Sequence, residues 1–453
     1  MAPAGALSTD LYEFAMAAGY YASAGKAHGS FELFVRELPA TRGYLVAAGL
    51  EPVLEFLSSW QCAPEEIEFL RSVPALSGAP ASFFDEYLPG LRFSGDVWAM
   101  PEGTPVFAGE PLLRVRGALA EAQLVETALL STVLFQTSVA SRAARVVEAA
   151  AGRAVTEFGG RRAHGVEAAV AAARAAVLGG CDATSSAAAG FRYRVPVAGT
   201  MAHSWVMASN NEITAYRRYV ELFGDQAVLL IDTYDPIVAT NAITEAGLAP
   251  AAVRLDSGDL EGLSRAVRAR LDAGGLTETR IIVSGDLDEF RVAALASSGA
   301  PIDGFGVGTA LSTSSDAPFL SGVYKIVEVE QGGVLTPLMK LSTGKRTAPG
   351  RKQVWRRRDG GRAVGDTVGL CDEPGPMGFE PLLRQVMRGG ERTVAPVSTL
   401  EARSRCRTAV AELPSAVRRL ESPAVYPVTR SAGLDQLAES VLASQAGAGP
   451  HGE

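Results

Sequence analysis

Six turns, each set after a short apolar run, collect the side chains of this sequence that can do chemistry. Gly199-Thr200-Met201-Ala202-His203-Ser204-Trp205-Val206 follows the apolar run 195–198 and holds one of only four histidines in 453 residues. A lone histidine is by default a core residue, but Gly199, Thr200 and Ser204 argue for a polar loop. There an imidazole can carry a proton or attack phosphorus. His164 is a second candidate, whereas His28 and His451 have no such setting. Asp232, Asp235, Asp256, Asp259, Asp286 and Asp288 put six carboxylates on three neighbouring strand-end loops. That charge calls for Mg²⁺ with a polyphosphate, or for ribose hydroxyls. Asp259 and Asp288 stand just before helical patterns and read as N-caps, which leaves Asp232, Asp256 and Asp286 as the functional choices. Gly304-Phe305-Gly306-Val307-Gly308-Thr309 ends an apolar strand. Its N–H groups, at Gly306, Gly308 and Thr309, suit a phosphate, although a tight turn uses the same residues. Ser284-Gly285-Asp286 forms a similar turn. Arg161, Arg162 and Arg254 on this rim suit bidentate contact with phosphate or carboxylate, or else a structural ion pair with one of the aspartates.

The elements that must position these residues alternate in type. Strand-like runs at 154–158, 195–199, 227–232, 252–256, 280–285, 302–307 and 323–327 are separated by helical patterns such as 165–178, 211–223 and 260–273. This spacing predicts a parallel sheet, closed or nearly closed, with the reactive groups at the C-terminal strand ends. The expected architecture is α/β: an irregular parallel β/α barrel over 151–330, plus an α+β domain built from the N- and C-terminal parts. Residues 1–120 form the N-terminal portion of that second domain. A linking helix covers 121–150, where apolar residues recur at helical spacing. Residues 331–445 turn to short strands (338–341, 353–356, 367–371) and pack back on the N-terminal part, and 446–453 are a disordered Gly/Ala-rich tail.

Composition narrows the class of function. A net charge of −8 with 47% hydrophobic and 20% charged residues describes a globular chain without the basic face of a nucleic-acid binder. Cys62, Cys181, Cys371 and Cys406 have no short spacing, so neither a disulfide framework nor a zinc site is expected, and a reducing cytoplasm suits the chain. No secretion signal or membrane span is read, since the apolar stretch around 124–135 is broken by Glu126. The chain uses 5 Lys against 37 Arg, and four of those lysines, Lys325, Lys340, Lys345 and Lys352, fall within 28 residues. A compact ammonium beside phosphate would explain the cluster, as would chance on a solvated surface.

Seven dispersed motifs resemble the nicotinate phosphoribosyltransferases, of the type II phosphoribosyltransferase family, in order and across nearly the whole chain. They are Ser8-Thr9-Asp10-Leu11-Tyr12; Phe31-Glu32-Leu33-Phe34 with Arg36; Gly43-Tyr44-Leu45-Val46; Glu157-Phe158-Gly159 with Arg161-Arg162-Ala163; Gly199-Thr200 with Ala202-His203; Arg254 with Asp256-Ser257-Gly258-Asp259; and Pro349-Gly350 with Lys352-Gln353-Val354-Trp355. The resemblance implies an ATP-dependent, carbon–nitrogen bond-forming ligase of NAD salvage. It would condense nicotinate with phosphoribosyl pyrophosphate (PRPP) to nicotinate mononucleotide and pyrophosphate, with Mg²⁺ bound alongside the pyrophosphate rather than in an all-protein cage. It further implies that His203 is the phosphohistidine through which ATP is coupled. Phe158 and Tyr12 would sandwich the pyridine ring, with Tyr12 supplied across a homodimer with shared sites. Arg254 and Thr200 would contact nicotinate, Gly308 and Thr309 the phosphate, and Asp256 and Asp286 the ribose; Arg161, Asp232, Ser284, Gly285 and Gly306 complete the expected site. Two departures bear on the pocket: Gly160 stands where the family more often has Leu, and Ser186 ends a run that often ends in Asn. The alternatives are a nicotinamide phosphoribosyltransferase, which an acidic side chain such as Asp182 beside the ring substituent would favour, and a non-catalytic phosphoribosyl-binding paralogue.

Overall fold

A computed structural model describes residues 5–23, 27–342 and 346–447; Lys345 and residues 448–453 of the tail lie outside the described residues. The chain divides into two compact units, one of Met1–Thr137, Phe319–Val397 and Thr408–Glu453, the other of Ser138–Pro318 with Ser398–Arg407. The first begins with the helix Leu11–Ser23 and the strands β1 (His28–Val35), β2 (Leu45–Val46), β3 (Asp96–Ala99), β4 (Pro105–Val106) and β5 (Pro111–Ala118). The second carries β6 (Ala154–Glu157), β7 (Ala183–Thr184), β8 (Val228–Leu230), β9 (Ala252–Leu255), β10 (Arg280–Val283) and β11 (Gly304–Val307). The chain then returns to the first unit with β12 (Gly322–Gln331), β13 (Val334–Pro337), β14 (Lys352–Asp359), β15 (Arg362–Leu370), β16 (Phe379–Pro381), β17 (Arg384–Arg388), β18 (Glu391–Arg392) and β19 (Val428–Arg430).

In the first unit a seven-stranded sheet runs β13-β12-β1-β5-β3-β17-β18, and a four-stranded one runs β16-β14-β15-β19. Register is set by burial: Phe31 and Tyr324, on adjacent antiparallel strands, stack at 5.0 Å in the core. The run 323–327, expected as a barrel strand, therefore belongs to β12 of this antiparallel sheet. The parallel sheet has no place for it beside β11, because β10 and β6 already pair with β11 on its two sides. The run 338–341 is likewise not a strand; the ladder ends at Pro337, one residue earlier. Of the lysine cluster, Lys352 is buried and pairs with Glu32 at 2.9 Å, Lys325 donates to the Tyr324 carbonyl at 2.9 Å, and Lys340 is exposed.

In the second unit the parallel order is β7-β6-β11-β10-β9-β8. This is the cyclic order of a barrel opened at one seam, since the last strand, β11, pairs with the first, β6, through Gly304↔Ala154 to Val307↔Glu157. The seam lies between β7 and β8. The run 195–199, expected as a strand there, makes only the single bridge Thr184↔Val197. Pro196 has no N–H to donate, so the ladder cannot propagate past it. The helices of the expected alternation are present as Val166–Leu178, Glu212–Phe223 and Leu260–Ala273.

The predicted linking helix is interrupted at Val125, giving Leu119–Leu124 and Glu126–Ala149. By length and composition the stretch Leu119–Ala149 could cross a membrane, but 61% of its most apolar window is buried within the chain. Core packing accounts for that apolar face. The four cysteines are free, and Cys62, Cys181 and Cys406 are buried.

A buried ion cluster braces the second unit. Glu289, fully buried at the start of the helix Glu289–Ser297, lies 2.6 Å from Arg142 and 3.3 Å from Arg145, and Arg142 also pairs with Asp316. Removing the anion leaves two guanidinium groups buried around an empty place. Glu289→Ala is therefore expected to lower unfolding free energy by about 3–5 kcal/mol in urea titration. Glu261→Ala, which breaks the exposed Arg265–Glu261 pair, should cost less than about 1 kcal/mol; similar losses in both would refute the role given to the buried cluster.

Candidate active site

Two adjoining clefts open at the C-terminal ends of the parallel strands. The first, of about 170 Å³, is lined by Phe158, Arg161, Arg162, Arg254, Asp256, Ser284, Gly285, Asp286, Gly306, Gly308 and Thr309. The second, of about 290 Å³, is lined by Phe158, Arg161, Ser185, Ala198, Gly199, Thr200, Met201, Ala202, His203, Leu230, Arg254 and Asp256. Phe158, Arg161, Arg254 and Asp256 thus face both. The structure brings together every residue predicted for the site except Asp232, which lies behind the clefts, and Tyr12, which is half-exposed on the helix Leu11–Ser23 of the other unit.

Glycines make the floor. Phe158 leaves β6 with its N–H bonded to the Val307 carbonyl at 2.8 Å, and its ring lies against Gly306, where a Cβ would come within 2.4 Å of the ring carbons. Only glycine at 306 lets the aromatic plane settle there. At the end of β10, Gly285 (φ 97°) and Asp286 (φ 46°) are both left-handed, and a Cβ at 285 would meet the Asp256 carbonyl at 1.9 Å. Aspartate is among the few non-glycine residues that accept this conformation, so the turn can aim a carboxylate where its neighbour must be bare backbone.

Arg254 ties the rim together. Its Nε donates to Ser284 Oγ (2.8 Å), one terminal nitrogen to Thr200 Oγ1 (2.8 Å) and the other to Asp256 Oδ1 (2.7 Å). The guanidinium carbon stands 5.4 Å from the Phe158 ring centre, and the side chain is 11% exposed. The ion pair with an aspartate is thus present, and the same side chain lines both clefts. Ser284 Oγ also donates to Asp256 Oδ1 at 2.5 Å. Burial pushes the Asp256 carboxyl up, but the Ser284 hydroxyl, Arg254 and His203 together bring it below its ordinary value. Asp232 accepts from the Asp256 N–H (2.8 Å) and the Ser257 hydroxyl (2.7 Å), so it holds the Asp256 loop from behind.

His203 opens the five-residue helix His203–Met207, is partly exposed, and shares a hydrogen bond between Nδ1 and Thr233 Oγ1 at 3.1 Å. Asp235, Asp259 and Asp288 cap helices through their side chains, the last two as the sequence predicts. His164 is exposed and lines neither cleft. Asp182 lines neither as well: it accepts from the Val155 N–H at 2.9 Å and pairs with Arg403 and with Arg407 at 2.9 Å. Among the described residues, no group of three or more His, Cys, Asp or Glu could hold a metal ion.

Glu157, Thr184, Ser185 and Thr233, which contact or line this region, were not among the expected site residues, although Glu157 opens one of the seven motifs. Glu157 carried the one available signal, a charged residue closing an apolar strand directly before Phe158; hydroxyl residues among other polar loop residues give none.

Sequence models of the nicotinate phosphoribosyltransferase N-terminal and C-terminal domains match residues 7–134 and 375–438, and one of the quinolinate phosphoribosyl transferase C-terminal domain matches 139–317. The chain is 43% identical over 435 residues to the nicotinate phosphoribosyltransferase pncB2 of Mycobacterium tuberculosis, covering 94% of this chain and 92% of that protein. It is 42% identical over 382 residues to the nicotinate phosphoribosyltransferase of Bacillus subtilis, covering 81% and 76%. The crystal structure of human nicotinic acid phosphoribosyltransferase superposes with a TM-score of 0.83 at 30% identity, covering 96% of this chain and 99% of that one.

The lowered Asp256 carboxyl makes a stability prediction. A carboxylate whose folded-state pKa is depressed contributes stability above its unfolded value, and that contribution is lost as pH falls through the folded value. The wild type should exceed Asp256→Asn in urea-unfolding stability above about pH 5, and the margin should shrink below about pH 4. A margin that goes on growing below about pH 4 would contradict the ion pair.

Proposed function

The chain belongs to the nicotinate phosphoribosyltransferase family, and on that premise we propose that the paired clefts around Arg254 join nicotinate to PRPP. The family makes it an enzyme of NAD biosynthesis from nicotinic acid. The observation that carries the assignment of the site is the double exposure of Phe158, Arg254 and Asp256, which puts an aromatic plane, a cation and a carboxylate on the boundary between the clefts. The pyridine ring stacks on Phe158 with its carboxylate toward Arg254 and Thr200. Tyr12, supplied by the partner in a homodimer with shared sites, covers the other face. The 5′-phosphate of PRPP rests on the backbone of Gly306, Gly308 and Thr309, and the ribose faces Asp256 and Asp286, with Arg161 and Arg162 near the pyrophosphate.

In the reaction, the pyridine nitrogen forms a bond to the anomeric carbon while that carbon's bond to pyrophosphate oxygen breaks. Positive character grows on the ribose, and the ionised Asp256, held by Arg254 and Ser284, is placed to stabilise it without reorganising. Oxygen donors suit Mg²⁺, and Asp256 and Asp286 are the carboxylates in the first cleft that would hold it together with pyrophosphate oxygens; the ion would offset charge on the leaving group. His203 takes the phosphoryl group of ATP, and turnover of that phosphohistidine draws synthesis forward. Nicotinate is favoured over nicotinamide because the ring substituent faces a cation, and the acidic Asp182 is engaged elsewhere, with Arg403 and Arg407. Product analysis with PRPP, Mg²⁺ and either nicotinate or nicotinamide, with and without ATP, tests the whole reading: mononucleotide from nicotinate, stimulated by ATP, is expected, and product from nicotinamide alone would overturn it.

Two variants test the assignments. His203→Ala should lose ATP-stimulated turnover while retaining slower ATP-independent synthesis, and labelled ATP should leave acid-labile phosphate on the wild type only; equal labelling of both rejects the phosphohistidine. Arg254→Ala should raise the nicotinate KM by about tenfold or more, equivalent to roughly 1.4 kcal/mol of lost binding. A larger rise in the PRPP KM than in the nicotinate KM would make the arginine a phosphate clamp.

A further inference from the structure

Glu157 is the buried titratable group closest in sequence to the aromatic floor, and the reaction as described does not use it. It ends β6 at 1% exposure, and its carboxylate folds back under the turn that follows. The Gly159 N–H donates to Oε1, and the Thr184 hydroxyl donates to Oε2 at 2.6 Å. The turn runs as bare backbone at Gly159, because Ser312 Oγ and the Gly308 carbonyl would lie 2.2 and 2.6 Å from a Cβ at that position. Thr184, fully buried, carries the connection onward: its N–H bonds the Pro196 carbonyl (3.1 Å) and its carbonyl accepts the Ala198 N–H (3.0 Å), just before the loop of Thr200 and His203. The Glu157 carbonyl accepts the N–H of Ser185, a residue of the second cleft.

We propose that Glu157 is a positioning residue for nicotinate: its carboxylate, by accepting from Gly159 and Thr184 together, locks the Phe158 turn to β7, whose Thr184 backbone in turn holds the segment that leads into the His203 loop. This rests on the reading of Phe158 as the stacking surface for the pyridine ring. Both acceptor bonds require the ionised form. A protonated carboxyl presents a donor on one oxygen and leaves the Gly159 N–H or the Thr184 hydroxyl without its partner. Burial raises the Glu157 carboxyl above its usual range, opposed by the bonds from Thr184 and Gly159. The other titratable groups on this side are Cys181, whose thiol burial pushes up, and Asp182, which is ion-paired with Arg403 and Arg407. Acidification should therefore loosen Phe158 through Glu157.

The test is steady-state kinetics of the full-length enzyme with nicotinate, PRPP, Mg²⁺ and ATP over a pH series. For the wild type the nicotinate KM should rise toward acid pH with little change in kcat. Glu157→Ala is expected to raise that KM by about tenfold at neutral pH with kcat within about threefold. Glu157→Gln, like the protonated carboxyl, keeps one acceptor for Gly159 and offers Thr184 a donor; it should show the raised KM already at neutral pH and lose the acid rise, apart from titration of nicotinate itself, which is common to both enzymes. Thr184→Val, nearly the same shape, removes a bond that favours the carboxylate and should move the acid rise to higher pH. The proposal is overturned if Glu157→Gln keeps the wild-type acid rise, if Thr184→Val leaves it in place, or if Glu157→Ala lowers kcat at unchanged KM. Should Glu157→Ala fail to fold, the other two variants decide. Phe158→Ala separates the two readings: if it raises the nicotinate KM by about tenfold and the Glu157 variants do not, the positioning role falls alone; if it leaves KM unchanged, both fall.

Discussion

A guanidinium group that is 11% exposed must be paired, and the site is organised around meeting that demand for Arg254. Its three nitrogens reach Ser284, Thr200 and Asp256, side chains from three separate strand-end segments. Each partner is fixed in turn: Asp256 by Ser284 and by the Asp232 brace, and the Ser284 turn by a glycine that lets it pass against the Asp256 carbonyl. The arginine therefore holds its charge at one point before any substrate arrives. An anion entering from either side meets a preset cation and does not have to recruit a mobile one.

The same economy explains the glycines. Gly306 exists to be absent, in the sense that the Phe158 ring takes the volume a side chain would fill. Aromatic plane, cation and carboxylate then fit within one rim, and the two clefts share a wall where two substrates would have to meet.

Much of this was legible in the sequence, because strand ends and turns leave sharp local marks. The glycine, serine and aspartate clusters located β6, β9, β10 and β11 and the residues that now line the clefts, and the capping roles of Asp259 and Asp288 followed from the helical patterns behind them. What failed depended on pairing at a distance. Residues 323–327 have the composition of a barrel strand, and only the occupied flanks of β11 and the core partner Phe31 send them to the other sheet. Residues 195–199 read as a strand, yet only Val197 forms a bridge: Pro196 cannot donate on one side of it, and on the other the chain after β7 turns into the helix Ala187–Tyr193. Glu157 was hidden for a related reason: its partner Thr184 is 27 residues away, and nothing local distinguishes a carboxylate folded inward from one in solvent.

The cyclic strand order also sets when the site can form. The pair that lays Gly306 under Phe158 joins β11 to β6, with Phe305 opposite Val155 and all the other parallel strands in the intervening chain. Loop closure over such a separation is entropically expensive, and contacts of this range form late. During synthesis, then, β6 emerges with its aromatic residue uncovered and waits for nearly the whole of the unit before its neighbour arrives. The floor of the clefts depends on the most sequence-distant ladder of the sheet, so it is complete only when all six parallel strands have been made.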